Sequence, residues 1–387
     1  MRRFTGYELT TATMAIGVLI SSFFIFRYLV WFVSTDIQPH ALVLVRSIEN
    51  NVFPIPFLYY LTIYAFAGFK ADTYILFKSS MIVLSIAVMM KYLMTVRLLS
   101  ILTSEKSTFL LWVAVCLLVC APISWSTNQM YLGKAAINVW HNSTTIMTMP
   151  FVLLLFGSIV KFLQDDKIEK LSIVSILVFA ILNLVTKPSF VFAVIPALPL
   201  GVMIYQRQWF SHKIIVATLI SLFLSFLIIF EYYIIYEIGD YLGNQQTDSK
   251  NGVTISLFRI WFLYGGYYFP MHIISGLLFP IAYCMLFFND VKQDKLLQFT
   301  IVLYAIALAI SIIFVETGHR ANHGNFVWQV IMTGYVLFTV VSARMLTIIR
   351  RIGWSDKKSK VLLVTFTIHC IYGIAYITKI IVVGNYS

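Results

Sequence analysis

The chain has 387 residues, of which 60% are hydrophobic and only 11% charged, with a mean hydropathy of +0.87. A soluble domain averages nearer ~25% charged residues, and a disordered chain needs the opposite composition, so both classes are excluded. The formal charge of +12, from 28 Lys and Arg against 16 Asp and Glu, lies mostly in short breaks between apolar runs, so membrane topology explains it and no nucleic acid partner is expected.

The expected fold class is an all-α polytopic membrane protein, one transmembrane domain over residues 1–387. A span needs ~20 apolar residues. Candidate spans fall at 12–33, 73–95, 107–124, 144–163, 171–185, 188–205, 214–236, 268–288, 297–315, 326–348 and 361–383. The first run is too long for a signal-peptide core and ends in Arg27, Tyr28 and Trp31, so it is expected to stay as a span. With the N-terminus inside, as Arg2 and Arg3 suggest, alternate breaks carry Arg97/Lys106, Lys161/Lys167/Lys170, Arg207/Lys213, Lys292/Lys295 and Arg350–Lys360. Every strongly basic break then lies on one side, which supports eleven spans in a bacterial plasma membrane.

Residues 53–68 (FPIPFLYYLTIYAFAG) are apolar but short and proline-led. They are expected to lie as a juxtamembrane helix at the outer surface. The expected outer segments are 34–52, 125–143, 237–267 and 316–325, with a short outward break at Lys187–Pro188. Within them 244–253 (NQQTDSKNGV) reads as a flexible loop. Cys116, Cys120, Cys284 and Cys370 lie inside apolar runs without metal-ligand spacing and read as small buried hydrophobes.

Polar residues at the outer boundary are the candidates for chemistry, because ionisable groups near a membrane are costly and usually functional. Asp36 follows the first span, with His40 four residues on; a carboxylate there can act as a base on an acceptor hydroxyl, or simply cap a helix. Asn138, Trp140, His141 and Asn142, followed by Ser143 and Thr144, combine an aromatic face with neutral hydrogen-bonding groups, as sugar binding requires. Lys187 either anchors at the headgroups or pairs with a lipid phosphate. The richest segment runs from Glu316 through His319, Arg320, His323 and Asn325 to Trp328. Arg offers a planar fork for phosphate oxygens and His can donate or shuttle a proton. His272 also maps to the outer boundary. No HExxH, P-loop or GxGxxG occurs and the histidine spacing does not support zinc, so no cofactor is expected; a divalent metal stays open.

Phe53-Pro54-Ile55-Pro56-Phe57-Leu58-Tyr59-Tyr60-Leu61 resembles the "PPLYYLL" stretch of the C-type (GT-C) membrane glycosyltransferases. So do the first span, the acid early in the next loop and the long second span after Gly68. The resemblance covers roughly residues 12–190. It implies GT-C-like helices over 12–205 with a first outer loop at 34–72, and variable helices over 206–387. It also implies sugar transfer from a polyprenyl-phosphate-linked donor to a lipid-linked or glycan acceptor on the outer face, with Asp36 as base. Arg320, His319, His323 and Lys187 would hold the donor phosphate. His40, Asn138, Trp140, His141, Asn142, Glu316, Asn325 and Trp328 would line the substrate. A single Asp stands where some members carry an acidic pair, which leaves metal dependence open. Rival readings are a Wzy-type polysaccharide polymerase, a lipid-linked oligosaccharide flippase and a membrane O-acyltransferase. The flippase is disfavoured by the lack of an internal repeat, and the acyltransferase by histidines expected outside.

Overall fold

The computed structural model describes residues 5–124, 132–238 and 252–384. It is helical almost throughout. Among the described residues, eight helices are long and apolar enough to cross a membrane, and a bent pair makes a ninth candidate. The chain is an integral membrane protein.

The helices begin where the sequence supplies caps. Thr5 and Glu8 form a reciprocal capping box at the start of α1 (Gly6–Phe32). Asp72, Ser107, Asn142, Ser211, Asp294 and Asp356 each accept a backbone N–H at the start of α4 (Thr73–Thr103), α5 (Thr108–Val119), α6 (Ser143–Gln164), α9 (His212–Tyr233), α14 (Lys295–Ile313) and α16 (Lys357–Val383). Such side-chain oxygens satisfy donors that a helix cannot serve itself. Between α1 and α4 lie two short helices, α2 (Ile37–Glu49) and α3 (Leu58–Phe66). The second lies within the run 53–68, where a short helix was expected. The first was expected as loop.

The centre of the bundle is α15 (Trp328–Ile352), whose apolar stretch is 94% buried, against 17% for α1 at the rim. Around it pack α4, α8 (Ser189–Gln206) and α14, while α7 (Lys170–Leu184) lies against α6. Two prolines interrupt α8. Pro199 removes the N–H that would serve the Ile195 carbonyl, and Ser221 Oγ donates to that carbonyl instead at 2.7 Å. The expected span at 268–288 is a bent pair, α10–α11 (Arg259–Gly265 and Phe269–Gly276) and α12 (Leu278–Leu286), turned by 51°. A short α13 (Phe288–Gln293) follows it. At the basic face, Arg344 grips Asp294 at 2.5 and 3.1 Å, Arg351 meets Asp290 at 2.8 Å, and Arg350 pairs with Glu105.

One expected span is corrected. The run 107–124 is helical only to Val119, and twelve residues rise roughly 18 Å, short of a ~30 Å hydrocarbon core. The segment 125–143 is also not a simple outer loop. Residues 125–131 lie outside the described residues, but 133–142 are all buried in the bundle. Backbone ending at membrane depth must be satisfied by protein. Asn138 Nδ2 donates to the Leu117 and Cys120 carbonyls at 2.8 Å each. The Ala121 N–H bonds the His369 carbonyl at 3.1 Å, and His369 Nδ1 bonds the Ala121 carbonyl at 2.9 Å. Gly373 lets α16 lie directly on this stop, since a Cβ there would overlap the Val119 carbonyl.

Gly373→Ala should therefore destabilise the protein by ~1–3 kcal/mol through overpacking. Gly17→Ala on α1, where a Cβ meets nothing within 4 Å, should cost nothing and gain up to ~1 kcal/mol of helix propensity. Thermal unfolding of both variants in one detergent checks the contrast.

Candidate functional site

The site forms at the end of the bundle that carries α2 and α3. Its first element is the tight turn from α1 into α2. Gln38 Nε2 lies 2.7–3.1 Å from the Leu29, Val30 and Val33 carbonyls, while its Oε1 accepts from Thr35. That amide closes the C-terminus of α1 and sets Asp36 at the N-cap position, just before α2. Asp36 makes no capping bond to its own helix. Its Oδ2 instead accepts from Asn142 Nδ2 at 2.9 Å.

Asn142 is the hub of the cluster. Its Oδ1 accepts from the Thr145 N–H at 3.0 Å, from the Thr145 hydroxyl at 2.6 Å and from Lys187 Nζ at 3.4 Å. Lys187 also donates to Thr144 Oγ1 at 3.1 Å and lies 4.9 Å above the Trp328 ring. The turn holding Lys187 is tied to the start of α3, because the Leu58 N–H bonds the Val185 carbonyl at 2.8 Å. His141 packs against the other part of this wall, its ring 5.9 Å from that of Trp328.

His40 lies one turn beyond Asp36, with Nδ1 2.6 Å from the Tyr60 hydroxyl. Tyr59, beside it, reaches Ser80 Oγ at 3.2 Å. The far wall is a short antiparallel ladder of β1 (Val253–Ile255) and β2 (Phe314–Glu316), in which Val253 faces Glu316. Glu316 is buried; Tyr236 donates to its Oε1, Asn325 donates to its Oε2 at 2.5 Å, and Arg320 stands 3.7 Å away.

Electrostatics join the two walls. Burial pushes the His40 imidazole down to about 4, with Lys187 adding to the effect and Asp36 opposing it. His141 is pushed down to about 4, again by burial, with Asp36 and Lys187 acting in opposite senses. Both imidazoles are therefore neutral at pH 7 and serve as hydrogen-bonding groups. Burial pushes the Lys187 ammonium down to about 8; Asp36 and Glu316 pull it up, and Arg320 pushes it further down. The Tyr60 phenol is raised by burial and by Tyr59, and Arg320 opposes that shift. Asp36, His40, Lys187, Glu316 and Arg320 thus act on one another although 284 positions separate the first from the last (320 minus 36).

The structure brings together Asp36, His40, His141, Asn142, Lys187, Glu316, Arg320, Asn325 and Trp328. Asn138 and Trp140 do not join them. The Asn138 amide is spent on the α5 carbonyls and on Lys91, whose Nζ lies 2.5 Å from its Oδ1. The Trp140 ring is buried against Phe26. His323 is exposed at the rim, its N–H bonded to the Arg320 carbonyl at 2.9 Å. The His319 side chain lies outside the described residues, as does most of 244–253. His272 is buried in α11, where the nearby charge is Lys134. Among the described residues no group of three His, Cys, Asp or Glu side chains is placed to hold a metal ion.

Sequence reasoning missed Gln38, Tyr60 and Tyr236. The tyrosines of 53–68 were visible as a cluster, but their role depends on the turn that delivers His40. Tyr236 sits at the end of an apolar run and carried no signal. Comparison with family models, curated proteins and solved structures finds no match.

Asn142→Asp would replace a donor to Asp36 with a second carboxylate. Like charges at that distance raise the proton affinity of the pair in the folded state, so the variant's loss of stability should grow with pH. Expected is a cost of ~1–3 kcal/mol at neutral pH, shrinking as acid protonates the pair. Unfolding temperatures across pH 4–8, compared with wild type, test this.

Proposed function

We propose that the cluster transfers a sugar from a polyprenyl-phosphate-linked donor to a lipid-linked or glycan acceptor, with the site on the outer face of a bacterial plasma membrane. This is a GT-C-like arrangement of eleven crossings, one made by α5 together with the buried segment 133–142 that follows it and another by the fifteen-residue α7. The observation that carries the proposal is the gathering of Asp36 with two cations, Lys187 and Arg320, all half-buried, at one end of a membrane bundle, with Glu316 beside Arg320.

In this reading Asp36 takes the proton of the acceptor hydroxyl, the acceptor oxygen bonds the anomeric carbon, and the bond from that carbon to the phosphate oxygen breaks. The lipid phosphate leaves with the extra negative charge. Preorganised cations stabilise charge that grows in the transition state more than charge already present. Asn142 aims the carboxylate, since its N–H holds one oxygen and leaves the other for substrate. His40 and His141, being neutral, offer hydrogen bonds to sugar hydroxyls without competing for the phosphate.

Lys91, a cation inside the bundle, is a residue that would suit a transporter. It is already engaged by Asn138 and by the Tyr335 ring 3.7 Å away, so it supports the polar interior rather than a translocation path.

Asp36→Asn keeps size and the acceptor for Asn142 but cannot take a proton. Turnover of a polyprenyl-phosphate sugar by purified protein should fall ~10²–10⁴-fold while the unfolding temperature holds. Wild-type turnover in this variant would remove Asp36 from the chemistry.

The Lys187 ammonium is charged below about 8 and neutral above it. Phosphate affinity should therefore weaken as pH rises from 7 to 9. In Lys187→Arg, whose guanidinium stays charged, that loss should vanish. Titration calorimetry with a short polyprenyl phosphate at both pH values reads the difference.

A further inference from the structure

Away from the site, the bend between α11 and α12 opens a groove of about 630 Å³ against α14 and α15. Leu277, Ile281, Cys284 and Phe288 line one side, Ile301 and Tyr304 the other. Volumes of 300–1,000 Å³ are those of ligand sites. The wall is apolar; the Tyr304 ring lines it, with its hydroxyl oxygen buried out of reach of the groove.

The groove ends at the basic face. Lys292 Nζ lies 4.5 Å above the ring of Phe288, and Lys358 Nζ lies 5.3 Å above the ring of its neighbour Phe287. The acids at this end are already engaged: Glu105 by Arg350, Asp290 by Arg351, Asp294 by Arg344, and Asp356 by the N–H groups of Lys358 and Ser359. Helix stability does not explain the lysine on α16 either. A cation in the first turn opposes the helix dipole, whereas an anion there is favoured.

We propose that this groove binds an anionic phospholipid. One acyl chain fills the apolar space between α12 and α14, and the phosphate rests between Lys292 and Lys358. Charge complementarity selects an anionic headgroup over a zwitterionic one, because basic pockets between membrane helices at a basic face attract anionic lipids. The site lies at the opposite end of the bundle from Asp36, and its lipid is distinct from any substrate.

The test is native mass spectrometry of the full chain with phosphatidylglycerol and with phosphatidylcholine. Wild type should retain phosphatidylglycerol preferentially. In Lys292→Gln/Lys358→Gln the preference should drop on the order of five-fold per lysine, with an unfolding temperature in phosphatidylcholine equal to wild type, since both lysines are exposed. Cys284→Trp, which fills the groove, should lose retained lipid of both kinds. A headgroup preference unchanged in the double variant overturns the proposal. So does full lipid retention in Cys284→Trp, which would place the lipid elsewhere on the surface.

Discussion

The candidate site depends on the orientation of one amide. Asn142 begins α6, so its carbonyl oxygen must face the unserved N–H of Thr145. That demand fixes the other end of the same planar group: the NH₂ points away from the helix and requires an acceptor. Asp36 fills that place at 2.9 Å. A cation could not. Lys187 instead approaches the oxygen side, at 3.4 Å from Oδ1. A helix cap thus sorts charge, with the carboxylate on one side of Asn142 and the ammonium on the other. The two are held near each other without forming an ion pair that would quench both.

A second constraint acts deeper, where the bundle holds backbone that is not helical. In hydrocarbon each unserved N–H or carbonyl costs several kcal/mol. Asn138, His369 and the shared bonds at Ala121 meet that cost locally. Because Asn138 and Asn142 are four residues apart on one buried segment, the interior that satisfies the end of α5 also positions the hub of the site. Lys91 belongs to this arrangement: it holds the Asn138 oxygen, leaving both Asn138 N–H bonds for α5.

Hydropathy made much of the architecture legible. Each expected apolar run contains a helix or a bent pair, and the caps at Asp72, Asn142, Asp294 and Asp356 are readable as residue types. The site segments were legible for a related reason: Asp36, Lys187 and Glu316 stand out because charge is rare in this chain. What misled was the assumption that a polar segment between apolar runs faces water. Residues 133–142 include Lys134, Asn138 and His141, yet all are buried, since polar side chains are tolerated at depth once bonded. The helix α2 was obscured by Pro39, which sits in its first turns, where its missing N–H does no harm. Pairings such as His40 with Tyr60, or Tyr236 with Glu316, depend on how turns deliver distant helices and leave no local trace.

The structure also changes which cation leads. By sequence Arg320 dominates, with an acid and two histidines close by. In the fold its charge is partly committed: Glu316 lies 3.7 Å away, and the guanidinium carbon sits 5.6 Å from the Tyr236 ring that bonds the same acid. Lys187 meets only the neutral oxygens of Asn142 and Thr144 and the face of Trp328. Its charge is desolvated and unpaired, the condition in which an anion is attracted most strongly. An incoming phosphate lowers the cost of burying Lys187, whereas at Arg320 it competes with Glu316. An anion approaching this cluster would therefore be held at less cost by Lys187, next to Asn142 and across that amide from Asp36, than by Arg320.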